Sequence, residues 1–411
     1  MKRNLTLALL LTSAIIAPQF ASAESIKIGV LATFEGPFTV LGEDGLRGAM
    51  VAIAEAGGKV AGKDIEIIRG SSDASPDSAV RAARKLVEQD GVTVLVGPLS
   101  GDEGLAVKDY AKTQPGVTFI NGTSAAQDTT LRDPAPNFFR FSTDGAQWMA
   151  GLGTYAFTDK GYKSVAVVAE DYSFPYTQVF GFMAEFCKAG GKVPSKSWVP
   201  LGTKDYASVI AAIPDDVDAI YVALGGADAV NFLGQYQAAG GEAPLVGGSI
   251  TVDQTVLTSE GKIRDVLIGT PSAGPIADTN DTPEWMAFVD AYKKQEGAFP
   301  SPSLFAHGYY VNMKATLMGL EAVGGDTSDG GAKLRAALST LAVDTPTGKV
   351  SLDANHNAVA DIFLTEVVEG PDGNLVNKLI KVIPAVNETL GIDPAEFMAL
   401  GVANRDNPAC P

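Results

Sequence analysis

Residues 92–125, VTVLVGPLSGDEGLAVKDYAKTQPGVTFINGTSA, constrain the fold more tightly than any other stretch of this chain. They read as strand, tight turn, helix, strand, tight turn. The apolar run 92–96 stops at Gly97-Pro98, and an amphipathic helix opens at Ser100. The run 117–120 stops in the same way at Asn121-Gly122, followed by Thr123, Ser124 and Ala125. Two such units in succession predict neighbouring parallel strands, whose carboxyl ends form the ligand edge of an open α/β sheet. Both turns offer small hydroxyls and backbone N–H groups near a helix start, which suits an anion. No Lys or Arg lies in 97–105 or 121–131, so dipoles and hydroxyls would hold that anion.

The first 23 residues read as a secretory signal: Lys2 and Arg3, an apolar run over 5–17, then Ala21-Ser22-Ala23 as a small-residue cleavage site. Cleavage after Ala23 and a periplasmic destination are the expectation. A net charge of −17 argues against nucleic acid or an anionic membrane as a charge-driven partner. The two cysteines, Cys187 and Cys410, fit an oxidising compartment, where a disulfide would pin the C-terminal tail to a helix end. Two histidines and two cysteines are too few for an evident metal site.

The order of elements then repeats. A strand at 26–31 ends in a loop carrying Phe38, and a strand at 163–169 ends in one carrying Tyr172 and Phe174. The turn at Ser100 corresponds to Gly226 and Ala227, and Thr123 to Ser249. This duplication predicts two similar three-layer α/β lobes with mostly parallel sheets. Past residue 268, helices are expected at 282–295, 303–323 and 331–341, and strand segments at 350–352 and 361–368. That segment lacks strands for a third lobe. It is expected to give helices to the first lobe and a last strand to the second. The N-terminal lobe then takes 24–143 plus 273–346, and the C-terminal lobe 144–272 plus 347–411. The chain would cross three times between them, which makes a hinge.

Catalytic constellations are scarce. No GxSxG, HExxH, CxxC or phosphate-loop lysine occurs, and no GxGxxG follows a strand. His307 reads as a packed helix residue. The turn 353–358 begins like a calcium loop, but Ala358 stands where glycine is required, so it reads as a β-turn. No cofactor and no metal are implied. The positive signals are loop tips on one predicted edge: Phe38, Ser100, Thr123, Tyr172 and Phe174.

On these residues the chain resembles the Leu/Ile/Val-binding protein family, the type I periplasmic solute-binding proteins of ABC importers. The resemblance spans the mature chain. It rests on 26–30 followed by Gly36-Pro37 and Gly42, on 54–58, on Gly97-Pro98-Leu99-Ser100, on Asp171-Tyr172, on Lys204-Asp205-Tyr206, and on Pro346-Thr347-Gly348 with Asp353. It implies two lobes that close on a small molecule and deliver it to an inner-membrane permease, in a monomeric, non-enzymatic protein. It also implies that Ser100, Gly101, Thr123, Ser124 and Ala125 face the ligand carboxylate, Leu41 its side chain, and Tyr172 the opposite side. Amino-acid-binding members carry an acid after the fourth strand of the second lobe. Here 247–251 reads GGSIT, with no acid before Asp253. A buried ammonium without a partner is costly, so the ligand expected is a small carboxylate with an apolar body, an aromatic acid ahead of a branched-chain amino acid. Asp171, Asp228 and Asp253 are the acids that could restore an amino-acid site. A ligand-sensing module feeding a receptor, and a hydrolase on the same scaffold, are the alternative classes.

Overall fold

The computed structural model describes residues 25–410 apart from 260 and 262. The signal segment and its cleavage site lie outside the described residues. The first sheet holds β1 (Ile26–Thr33), β2 (Lys59–Val60), β3 (Lys63–Ser72), β4 (Val94–Val96), β5 (Thr118–Ile120) and β6 (Phe138–Phe139), in the order β2-β3-β1-β4-β5-β6. All pairs but β2–β3 are parallel. Helices cover both faces, so Ile28, Val30, Val94, Val96 and Ile120 are all fully buried. That burial is why these strands read as continuous apolar runs rather than alternating ones.

The second sheet holds β7 (Val165–Glu170), β8 (Lys196–Val199), β9 (Ala219–Ala223), β10 (Leu245–Gly247) and β11 (Pro271–Gly274). Late in the chain it adds β12 (Val343–Thr345), β13 (Gly348–Leu352), β14 (Ala358–Glu369) and β15 (Leu375–Val386). The order is β12-β13-β14-β11-β10-β9-β7-β8, with β15 also on β14. The two lobes are therefore less alike than the repeat suggested. The second is parallel only from β8 to β11, and antiparallel beyond. β15 escapes pattern reading because it is an edge strand. Pairing on one side only, it tolerates Lys378, Lys381 and Pro384 in its length.

The helix Leu304–Ala322 returns to the first sheet. Ser303 caps it, accepting from the Ala306 N–H at 3.0 Å. The Tyr309 hydroxyl donates to the Leu31 carbonyl at 2.6 Å, and Asn312 Nδ2 to the Gly122 carbonyl at 2.9 Å. The expected switch at 272/273 falls inside β11, and 343–345, assigned to the first lobe by sequence, pairs with β13.

At the hinge, the fully buried Arg140 follows β6. Its guanidinium donates to Asn357 Oδ1 at 2.7 Å and to the Ala126 carbonyl at 2.7 Å, and pairs with Glu388 at 3.3 Å. Burial raises the Glu388 and Asp144 carboxyls together, because one arginine cannot offset two desolvated acids. The turn 353–358 is thus part of the hinge: Leu352 pairs with Ala358, and Asn357 bonds Arg140. Cys187, at the end of the helix Ser173–Lys188, is bonded to Cys410. Phe397 packs against Phe180 at 5.7 Å, so the tail lies along the second lobe.

Candidate functional site

Register places the site. Val30 pairs with Val96 and Val96 with Ile120, so Thr33, Gly97 and Asn121 leave the first sheet at one edge. Val168 pairs with Val222 and Val222 with Gly247, so the loops at Glu170, Leu224 and Gly248 leave the second sheet together. Gly97 has φ +143°, and a Cβ there would stand 2.2 Å from the Leu31 carbonyl oxygen, so only glycine turns the chain here.

The two edges meet. Gly101 lies against the second lobe: a Cβ on it would sit 2.6 Å from Ser173 Oγ and 2.9 Å from the Phe174 nitrogen. Asp102 accepts from the Ser173 N–H at 3.0 Å, at the start of a second-lobe helix. Asp253 of the second lobe accepts from the Leu304 N–H at 2.8 Å, at the start of a first-lobe helix. These reciprocal caps hold the cleft closed. Between the lobes lies a cavity that, in this closed form, keeps about 10 Å³, the room of one water.

Eight sequence-predicted residues line this cavity: Phe38, Leu41, Ser100, Gly101, Thr123, Ala125, Tyr172 and Phe174. Four lie elsewhere. Ser124 turns its hydroxyl toward Gly104, where a Cβ would stand 1.7 Å away. Gly226 packs on the first lobe, 3.4 Å from the Pro37 carbonyl oxygen for an added Cβ. Ala227 is exposed. Ser249 accepts from Gln178 Nε2 at 2.7 Å and faces a second cavity. Leu99, Trp148, Ile250 and Phe305 line the site without having been foreseen. Leu99 and Ile250 flank tips that pattern reading did find. Trp148 sits on a helix just past the first chain crossing and Phe305 in the first turn of the helix Leu304–Ala322, and only the folded chain brings them in.

The serine and threonine hydroxyls of the lining come from the first lobe, which also contributes Phe38, Leu41 and Leu99. On the first-lobe side the hydroxyls of Ser100 and Thr123 donate weakly to carbonyls, Ala74 at 3.3 Å and Leu99 at 3.4 Å, bonds a better acceptor would replace. The backbone N–H groups expected to be free are mostly taken. Thr123 and Ser124 donate to the Pro98 carbonyl at 3.1 and 3.3 Å, and Ser100 to Glu103 at 2.9 Å. The N–H of Gly101, in the first turn, has no intrahelical acceptor. Glu103 itself is buried, and desolvation raises its carboxyl. Phe38 of the first lobe joins the second-lobe rings: Phe38 and Tyr172 lie 6.2 Å apart, Tyr172 and Phe174 6.2 Å, and Trp148 and Phe174 5.6 Å edge-on. The Trp148 indole N–H is tied to Thr143 Oγ1 at 2.7 Å, leaving its face to pack. Desolvation raises the Tyr172 hydroxyl well above its ordinary range and keeps it neutral.

No carboxylate lines the cavity among the described residues. Asp171 is bonded to Arg405 and Tyr176. Asp228 accepts from the Gly202 N–H at 2.6 Å. Asp253 faces the second cavity. His307 is fully buried and bonds Thr347 at 3.0 Å, and His356 stacks on Phe139 at 4.2 Å. Neither histidine reaches a cleft hydroxyl, so the arrangement suits holding a molecule rather than activating a nucleophile.

The periplasmic binding protein family model matches residues 25–373. The chain belongs to that family. Its scaffold is the two-lobed type I fold of the solute-binding components of ABC transporters. Among curated proteins, Leu/Ile/Val-binding protein homolog 6 of Brucella melitensis is 28% identical over 370 residues, spanning 89% of this chain and 93% of the relative. An ABC transporter substrate-binding protein from Sphaerobacter thermophilus superposes with a TM-score of 0.79 at 30% identity, covering 89% of this chain and 99% of that one. A Rhodopseudomonas palustris solute-binding protein in complex with 3,4-dihydroxybenzoic acid gives a TM-score of 0.81 at 27% identity, covering 89% and 98%. Another from R. palustris, in complex with benzoate, gives 0.81 at 26%, covering 90% and 100%.

Proposed function

We propose that this periplasmic binding protein captures a small aromatic carboxylate between its lobes and delivers it to an ABC permease of the inner membrane. The observation that carries the reading is the division of the cavity lining. Hydroxyls and the Gly101 N–H stand on the first-lobe side, the rings of Phe38, Trp148, Tyr172 and Phe174 cluster across both lobes, and no carboxylate among the described residues lines the cavity to meet an ammonium. The ligand carboxylate accepts from Ser100, Thr123 and the Gly101 N–H. Its ring packs among Phe38, Trp148, Tyr172 and Phe174, where aromatic pairs add about 0.5–1.5 kcal/mol each beyond area burial. The solved relatives that hold benzoate and 3,4-dihydroxybenzoate support this reading.

A branched-chain amino acid is the second reading, favoured by the names of the curated relatives and by Leu41, Leu99 and Ile250 in the lining. A thermal-shift panel separates the two. Benzoate, hydroxybenzoates and cinnamate are expected to stabilise the protein while leucine, isoleucine and valine leave it unchanged. The reverse pattern would overturn the aromatic reading. Recovery of the bound acid unchanged after incubation checks that the protein is not an enzyme.

A further inference from the structure

A second cavity, of about 20 Å³, lies beside the first and is lined by polar as well as apolar side chains. It lies at the carboxyl ends of β10 and β11, under the crossing segment that carries Asp278, and is lined by Gln254, Ser272, Asp278 and Asn377 among others. Each of these four residues points a buried oxygen that has no partner: Gln254 Oε1, Ser272 Oγ, Asp278 Oδ1 and Asn377 Oδ1. Gln254 and Ser272 are each 1% exposed and Asn377 is 7% exposed.

The amide orientations are fixed by chemistry. Gln254 Nε2 faces two acceptors, Asp278 Oδ2 at 2.8 Å and the Leu375 carbonyl at 3.4 Å. Asn377 Nδ2 faces the Val252 carbonyl at 2.7 Å. Turning either amide would set oxygen against oxygen, so their carbonyl oxygens must point away from these partners. Asp278 spends its other oxygen on Gln254 and on the Asn377 N–H at 2.7 Å. Among the described residues only neutral donors act on Asp278, the Ser301 hydroxyl among them, with no lysine, arginine or histidine, and desolvation raises its carboxyl. Two amide oxygens and a hydroxyl thus belong to the lining of a cavity together with a desolvated carboxyl that lacks a counter-charge. Buried charges are ordinarily paired or bound to a cation.

We propose that this cavity binds a hard monovalent cation of the sodium class, held by Asp278, the amide oxygens of Gln254 and Asn377, and the Ser272 hydroxyl. Oxygen-only ligands select a hard cation. One available carboxylate selects a single charge: Asp253 also lines the cavity, but Thr255 and the Leu304 N–H occupy its oxygens. No cluster of three His, Cys, Asp or Glu that would suit a divalent or soft metal occurs among the described residues. The ion would tie the crossing segment to the second lobe without touching the aromatic cavity.

The test is thermal unfolding of the full mature chain in sodium chloride against choline chloride at constant ionic strength, without organic ligand. The melting temperature is expected to rise saturably with sodium. Asp278→Asn is expected to abolish the rise, and Ser272→Ala to move the midpoint several-fold to higher sodium. Should Asp278→Asn fail to fold, Ser272→Ala alone carries the comparison. Identical melting in the two salts would mean that water or a protonated Asp278 fills the role, and would overturn the proposal. Unchanged sodium dependence in the variants would overturn it as well.

Discussion

The two lobes present equivalent turns to the cleft, yet only one set points into it. Ser100 and Thr123 of the first lobe line the aromatic cavity, whereas their second-lobe counterparts, Ala227 and Ser249, stand on the surface and in the polar cavity. The second lobe reaches the cleft instead through Tyr172, Phe174, Trp148 and Ile250. Duplication preserved the strand edges but divided the labour. The first lobe supplies the donors for an anion together with Phe38, Leu41 and Leu99, and the second supplies only apolar and aromatic side chains, which complete the face on closure. A ligand binding mainly to one lobe cannot shift the open–closed balance unless its other end is better served in the closed form.

The largest effect should come from the contact where the two sides touch. Gly101 has no room for a side chain against Ser173 and Phe174. Gly101→Ala should keep the lobes apart and weaken binding about a hundredfold, on the order of 3 kcal/mol. Calorimetry with benzoate measures the loss, and small-angle scattering should show that ligand no longer compacts the protein. Normal affinity in this variant would mean that the donor lobe suffices without closure.

Next in size are the donors themselves. Ser100→Ala and Thr123→Val should each cost about 1–3 kcal/mol of binding, since each leaves a carboxylate oxygen under-satisfied in a desolvated cleft. Unchanged affinity in both would move the anion site away from the first lobe.

The reciprocal caps give a pH test of the comparison. Asp102 at the first-lobe rim is partly exposed, while Asp253 is fully buried and burial pushes its carboxyl to about 7 from an ordinary 3.8. Between about pH 4 and 7 the folded protein therefore holds a proton at Asp253 that the unfolded chain has released. This group's contribution to stability is lost as pH rises through that window, by a few kcal/mol at most. Urea unfolding at pH 5 and 7.5 should show a smaller pH difference in Asp253→Asn than in the parent. An equal difference would place the titration elsewhere.

The fold was legible wherever local pattern and burial agree. Apolar runs ended by Gly97-Pro98 and by Asn121-Gly122 located β4 and β5, and the repeat located their second-lobe counterparts. What escaped was non-local. β15 shows no alternation because neither of its faces is buried over 378–385. Trp148 and Phe305 reach the cleft only through the chain crossings, and His307 finds Thr347 40 residues away. The free N–H groups expected at 123–124 were taken by Pro98, a carbonyl that only the folded turn brings near. Sequence places a tip at a sheet edge, but which way the tip's side chain turns depends on what packs behind it.

Ser249 sharpens that point with the smallest expected effect. By the repeat it matches Thr123, and a symmetric cleft would have it grip the ligand from the second side. In the folded chain its hydroxyl accepts from Gln178 and faces the polar cavity, with Ile250 taking the place beside the ligand. Ser249→Ala removes one neutral hydrogen bond, worth about 0.5–1.5 kcal/mol of stability. It should therefore lower the melting temperature slightly and leave benzoate affinity within twofold. Ile250→Ser makes the complementary change, setting a hydroxyl where the apolar lining was, and should weaken benzoate more than Ser249→Ala does. Should Ser249→Ala instead cost tenfold in affinity with no loss of stability, both lobes would grip the ligand through equivalent hydroxyls, and the division of labour would be wrong.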